Sequence, residues 1–172
     1  MALNIPPGIS SRGNISVFWV DAIANQNVPK LTEVGSTTAA LDITCYLTGD
    51  WGGLTGEQAE DPDTRFCSKQ VFESPGDIKF KVADLVYVMD SQHPLSITAK
   101  AAVILTPGKQ GFLVLRYAKD VEEALAVGDV VHVVPATLGV KTPTRGEGNT
   151  PIRIVQRVFV RGAISEDVAM VA

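Results

Sequence analysis

Cysteine and histidine are scarce in this chain. Its 172 residues include only Cys45, Cys67, His93 and His132. The cysteines stand far apart and outside any CxxC spacing, which predicts two buried free thiols; a disulfide would require their strands to be brought together. The histidines sit in unrelated places, so no zinc-type ligand set is spelled out. Long apolar runs are also missing. AAVIL at 101–105 falls far short of the roughly 20 residues that cross a bilayer. MALNIPPGIS has neither the basic start nor the apolar stretch of a secretory signal. Without such a signal the sequon Asn14-Ile15-Ser16 reads as chance. Positive charge is in deficit: 15 Lys and Arg against 19 Asp and Glu give a net charge of −4. A nucleic-acid binder normally carries a basic face, and this balance argues against one. The expectation is a chain made and kept in a cytoplasm, with no membrane partner.

Catalytic spacings are missing as well. The Gly-rich stretch GDWGGLTG at 49–56 is not followed by the Lys-Ser/Thr pair of a phosphate loop, and the serines and threonines have no GxSxG-like context. Glu57, Glu60, Asp61 and Asp63 form an acidic cluster whose functional reading is a cation site or a carboxylate pair. Asp61-Pro62-Asp63 lacks the successive ligands and terminal Glu of an EF-hand, which favours a solvated acidic loop or one that meets a basic partner. His132 in VVHVV suits a core or interface position, and His93 a helix entry. No catalytic residue, cofactor or metal is expected.

What is present is alternation. ISVFWV at 15–20 carries bulk on both faces, which predicts a strand covered on both sides. Further strands are expected at 41–47, 69–73, 78–89, 112–117, 130–134 and 152–160, with a last one within 163–172. The turn signal Ser74-Pro75-Gly76-Asp77 should separate the third from the fourth. LTEV at 31–34 reads as one helical turn stopped at Gly35. Pro94 opens a helix whose stripe is Leu95, Ala99, Ala102 and Leu105. DVEE at 120–123 has N-cap spacing and predicts a short helix ending near Gly128. The result is a single domain over 1–172, mainly β: a curled β-sandwich or barrel with a flanking α-helix. It carries an N-terminal arm at 1–13, a long connection at 48–68 and a flexible loop at 141–150.

The connection at 48–68 has no hydrophobic pattern of its own, and such segments are usually functional. Trp51 among glycines suits an anchor on another chain, or folds back on its own domain; Leu54 follows it. On the strand at 152–160, Arg153 and Arg157, with Arg161 just beyond, share a face. They suit phosphates or, better in an acidic chain, acidic groups of a neighbouring subunit such as those at 57–63. The candidate inter-subunit contacts are therefore Trp51, Leu54, Glu57, Glu60, Asp61, Asp63, Arg153, Arg157 and Arg161.

The order of segments resembles a known family. LTEV, then DITCYLTGDW, an acidic stretch into DTRFCSKQVFESPG, LVYVMD, TPGKQGFLVLRYA, VEEALAVGDVVHVVPATLGV and IRIVQRVFVRGAI are similar to the major tail (tail tube) proteins of long-tailed, non-contractile, siphovirus-like phages, actinobacteriophage members above all. The resemblance implies a curled β-sandwich with a flanking helix. It also implies hexameric rings stacked into a tube that conducts the genome, with the 48–68 connection reaching the next ring. Implied partners are other copies of the chain, the tape measure, tail tip and terminator proteins, and DNA that passes through without specific binding. The implied location is the virion tail, after synthesis in the host cytoplasm. The alternatives are a type VI secretion or contractile-tail tube, a tail terminator ring, and a metal-binding β-barrel enzyme.

Overall fold

The computed structural model describes residues 7–36, 38–49, 51–67, 69–93, 100–145 and 151–172. Its elements run β1 (Ile15–Val20), α1 (Leu31–Val34), β2 (Ala40–Asp42), a 3-10 turn (Thr44–Tyr46), β3 (Leu54–Asp63), β4 (Phe72–Val82), β5 (Leu85–Val88), α2 (Lys100–Ile104), β6 (Gln110–Tyr117), β7 (Val130–Thr144), β8 (Arg153–Val160) and β9 (Ser165–Ala169). Seven strands make one sheet in the order β2-β1-β6-β7-β8-β5, with β9 joined to β7. Each pairing is antiparallel, and the sheet curls into a half-barrel. The mainly-β expectation therefore holds. β3 and β4 pair only with each other and leave the sheet as a separate ribbon.

Both faces of the sheet's centre are covered, as the bulk on both sides of ISVFWV requires. Val17 and Trp19 join Leu85, Tyr87, Leu105, Leu113, Leu115 and Val134 in one core. Phe18 and Val20 join Val34, Val114, Val131, Val133 and Met170 in the other. Burial at about 25 cal/mol per Å² of apolar surface makes these layers the main source of stability. α1 caps the second core. The Glu33 carboxylate accepts from the Lys30 and Ala24 backbone N–H groups at 3.1 Å each, and the Val171 carbonyl takes the Leu31 N–H at 2.8 Å. α2 closes the first core with Ala101 and Leu105, both fully buried. The rest of the predicted stripe, Leu95 and Ala99, lies outside the described residues, as do residues 1–6 of the N-terminal arm.

β7 is much longer than the predicted 130–134. Pro135 does not end it. One edge of β7 pairs with β6 from His132 to Thr137. The other edge pairs with β9 at Val130–Val133 and with β8 from Ala136 onward. Pro135 sits at the handover between those two partners, with its carbonyl taking the Arg161 N–H at 3.0 Å. Its nitrogen faces the same gap, so the missing N–H costs no ladder bond. β7 then runs to Thr144, into the predicted loop 141–150, of which 146–150 lie outside the described residues.

Other expectations are corrected by polar side chains that compete with regular structure. The predicted strand at 41–47 shrinks to β2. Thr44 Oγ1 accepts the Val17 N–H at 2.8 Å and Asp42 accepts the Thr44 N–H at 2.9 Å, which turns the chain into the 3-10 segment. The predicted helix at 120–128 is a set of turns wrapped around Arg116, which is almost fully buried. Its guanidinium donates to the carbonyls of Asp120 (2.9 Å), Glu123 (2.7 Å) and Ala124 (3.3 Å) and to Asp129 Oδ2 (3.1 Å). Those carbonyls are therefore turned inward rather than along a helix. The turn at 74–77 is absorbed as a bulge in β4 opposite Ala59, and the strand at 78–89 breaks at Ala83 and Asp84 into β4 and β5. Cys45 and Cys67 are free and exposed rather than buried.

A polar node crosses the first core. Gln156 is fully buried on β8. Its carbonyl accepts the Tyr87 hydroxyl at 2.8 Å, and its amide donates to Leu105 O (3.1 Å) and Gly139 O (3.0 Å). This ties β5, β7, β8 and the end of α2 to one side chain.

Two tests follow from this packing. A Cβ on Gly111 would lie 2.6 Å from both Trp19 Cζ2 and the Val20 carbonyl oxygen. Gly111→Ala should cost about 2 kcal/mol or more and lower Tm by roughly 4–8 °C in calorimetry. For Asp129, burial alone would raise the pKa, but hydrogen bonds from Lys119, the Ala126 N–H and Arg116 outweigh it and hold the pKa below its ordinary value. Its stabilisation is complete above roughly pH 5 and is lost as pH falls toward the lowered folded pKa. Asp129→Asn should cost about 3 kcal/mol at neutral pH and flatten the acid limb of the stability profile in urea titrations.

Candidate inter-subunit contact site

The predicted connection at 48–68 contains a ten-residue strand, β3 (Leu54–Asp63). β3 and β4 form a ribbon that at about 3.3 Å per residue extends roughly 33 Å. The sequence hid it because β3, LTGEQAEDPD, has almost no apolar alternation; its ladder is satisfied by β4 alone. At the root of this arm, Trp51 packs against the first core and its Nε1 donates to Ala83 O at 3.2 Å. Trp51 thus folds back on its own domain. Leu54 is likewise half-buried against that core, paired with Val82. Tyr117 also meets the root: its hydroxyl pKa is raised by burial, partly offset by a backbone hydrogen bond from Leu54. His132 packs edge-on to Tyr117 with ring centroids 5.2 Å apart and lies 3.4 Å from Asp167.

Register gives the arm two different faces. Leu54, Gly56 and Gln58 oppose Val82, Phe80 and Ile78 on one face, and Thr55 and Glu57 oppose Lys81 and Lys79 on the other. The Phe80 ring covers Gly56 so closely that a Cβ there would lie 3.1 Å from it. Beyond the bulge the arm is acidic. Glu60, Ser74, Pro75 and Glu73 edge a hollow of about 240 Å³. Ile78 (61% exposed) and Phe72 (53%) have no cover.

The acids differ in their partners. Glu57 takes Lys81 Nζ at 2.9 Å, and that hydrogen bond holds its pKa below the ordinary value. Asp63 pairs with Arg65 at 3.0 Å. Glu60 and Asp61 are exposed and make no ion pair among the described residues. Alternation along β3 splits Glu60 from its neighbours Asp61 and Glu57, and among the described residues no group of three or more His, Cys, Asp or Glu is placed to hold a metal ion.

The arginine row sits on β8 and just beyond it. Arg153 is half-buried, opposite Val88 and Thr144. Arg157 and Arg161 are exposed. Arg157 stacks over Phe159 at 5.1 Å, and Arg161 over Phe112 at 5.5 Å. Phe159 and Phe112 were not among the predicted contacts, although the alternation of Arg157, Phe159 and Arg161 already puts an aromatic between two cations on one face. Within one chain no ion pair joins Arg157 or Arg161 to the arm's acids among the described residues.

A family model described as phage tail tube protein matches residues 2–172. The chain belongs to the phage tail tube protein family. The fold of this tail tube family member also has a solved counterpart. A chain in the cryo-EM structure of the anti-feeding prophage (AFP) baseplate, 6-fold symmetrised, superposes with a TM-score of 0.53 at 11% identity, covering 94% of this chain and 97% of that one. At that identity the likeness speaks for the fold. No curated protein matches the chain.

The root geometry makes one prediction. Because Trp51 is part of its own domain's core, Trp51→Ala should lower the stability of the unassembled protein by about 3 kcal/mol, measured by chemical denaturation. A purely intermolecular anchor would leave that value unchanged.

Proposed function

We propose that this chain is the building block of a phage tail tube: copies close into rings, and the rings stack around a channel for DNA.

 Membership of the tail tube family supports closure into rings, and hexameric closure is the symmetry we assign to them. The observation that carries the reading is the arm. A lone two-stranded ribbon is marginally stable in water, and this one leaves Ile78 and Phe72 uncovered. Such a surface is completed by another copy. The short edge strands β2 and β5 offer further backbone for pairing between neighbours in a ring. A closing ring uses heterologous contacts, so acids on one side and arginines on the other suit it.

In this reading the protein acts in the virion tail after synthesis in the host cytoplasm, and its work is structural, without catalytic turnover. Its partners are its own copies, the tape measure, tail tip and terminator proteins, and the DNA that passes through. The segment order from DITCYLTGDW to IRIVQRVFVRGAI favours a non-contractile, siphovirus-like tail. The likeness to a baseplate chain favours a second reading, in which the chain forms a related ring of a contractile system.

The test is removal of the arm. Leu54 and Val82 face each other across the ribbon, so Thr55 to Lys81 can be replaced by a short Gly-Asn turn. The product should remain a folded, soluble monomer by circular dichroism and form no tubes in negative-stain micrographs. Tubes of normal length from this variant would sink the stacking role of the arm.

A further inference from the structure

We propose that the exposed β7–β8 face, centred on Arg157, Phe159 and Arg161, is the seat on which the arm of a second copy docks. This rests on the reading of the arm as a contact between copies, and it names the surface that receives it.

The seat is a stacked layer. The guanidinium of Arg157 lies over Phe159 and that of Arg161 over Phe112. Gly139 in the β7 bulge makes room for this layer: a Cβ there would lie 3.0 Å from Phe159 Cε2 and 3.1 Å from Arg157 Cβ. Phe159 remains 48% exposed. Neither Arg157 nor Arg161 has an ion-pair partner among the described residues. Among the described residues the chain therefore presents two cations without an ion-pair partner beside a half-exposed aromatic ring.

The arm carries the complement. Glu57 and Asp63 are already neutralised by Lys81 and Arg65. Glu60 and Glu73 make no ion pair among the described residues, and both edge the hollow beside the bulge. A guanidinium fork matches carboxylates in such a recess better than an ammonium does. Ile78, on the same face of the arm as Glu60, supplies an apolar surface for Phe159. Each copy bears one arm and one seat on different surfaces, so the contact is heterologous and propagates from copy to copy. Duplex DNA is the other polyanion that could meet these arginines. The chain's net charge of −4 and the unpaired acids on its own arm favour the second copy.

Charge reversal on the full-length protein tests this. Arg157→Glu with Arg161→Glu, and separately Glu60→Lys with Glu73→Lys, should each raise the concentration needed for tube formation by about tenfold or more, because like charges then face each other. The quadruple variant should recover assembly. Thermal melts of the unassembled proteins show that each variant is folded. Wild-type assembly by Arg157→Glu/Arg161→Glu would overturn the seat, as would a folded quadruple variant that fails to recover. Unimpaired assembly with lost retardation of duplex DNA would assign the face to DNA instead. If the arm-deleted protein forms tubes, the arm reading fails; if it does not while the arginine variant does, only the seat fails.

Discussion

Everything in this fold hangs on the two edges of β7. One edge is taken by β6, and the other is shared in series by β9 and β8. Of the two prolines in this strand, Pro135 sits at the handover between partners, and Pro143 lies beyond the part paired with β6. The bulge between Leu138 and Lys141 then shifts the register by one residue, which brings Lys141 opposite Gln156. Lys141 Nζ donates to the Ala102 carbonyl, and burial lowers its pKa. The same bulge places Gly139 beneath Phe159 and Arg157. Thus one register shift serves the core on one face and the cation–aromatic layer on the other.

Two buried polar groups do related work at a distance from the bulge. Gln156 has its carbonyl and amide occupied by three segments, and Arg116 gathers the carbonyls of the 120–124 turns together with Asp129. Both are costly to bury unless satisfied: backbone carbonyls take the Gln156 amide and much of the Arg116 guanidinium, while Arg116 Nε has no partner among the described residues. Their effect is to lock connections that have little hydrophobic surface. The body of the molecule holds both buried apolar cores, whereas the arm holds neither. The arm's strands satisfy each other's ladder, but only its root reaches the core, and Ile78 and Phe72 further out are exposed among the described residues.

The parts of the fold that were legible in the sequence are those where apolar period and burial coincide. β1, β6 and β8 alternate or carry bulk on both faces, and they lie where the pattern puts them. LTEV is the turn of helix it appears to be, because Gly35 ends it and Glu33 caps it. The parts that were not legible depend on groups remote in sequence. DVEEALAVG has helix-start spacing, yet Arg116 takes its carbonyls. LDITCYL alternates, yet Thr44 and Asp42 bend it. SPGD has turn chemistry, yet β3 passes opposite and turns it into a bulge. Among the contact candidates, the unpaired state of Glu60 and Asp61 against the paired state of Glu57 and Asp63 is invisible without Lys81 and Arg65 in place. Trp51, placed among glycines, gave no hint of whether its partner would be Ala83 or another chain.

By itself the sequence determined the class of the protein: a mainly β chain, without the spacings of a catalytic or metal site, whose segment order resembles the phage tail tube family. Local period and turn chemistry are enough for that, because they act over a few residues. Only the tertiary structure decided that an acidic, pattern-poor stretch becomes a strand and that Arg157 lies over Phe159 and Arg161 over Phe112. Those outcomes depend on β4 folding back along β3 and on β6, β7 and β8 lying side by side, and pairing between strands distant in the chain leaves no periodic trace in either partner alone.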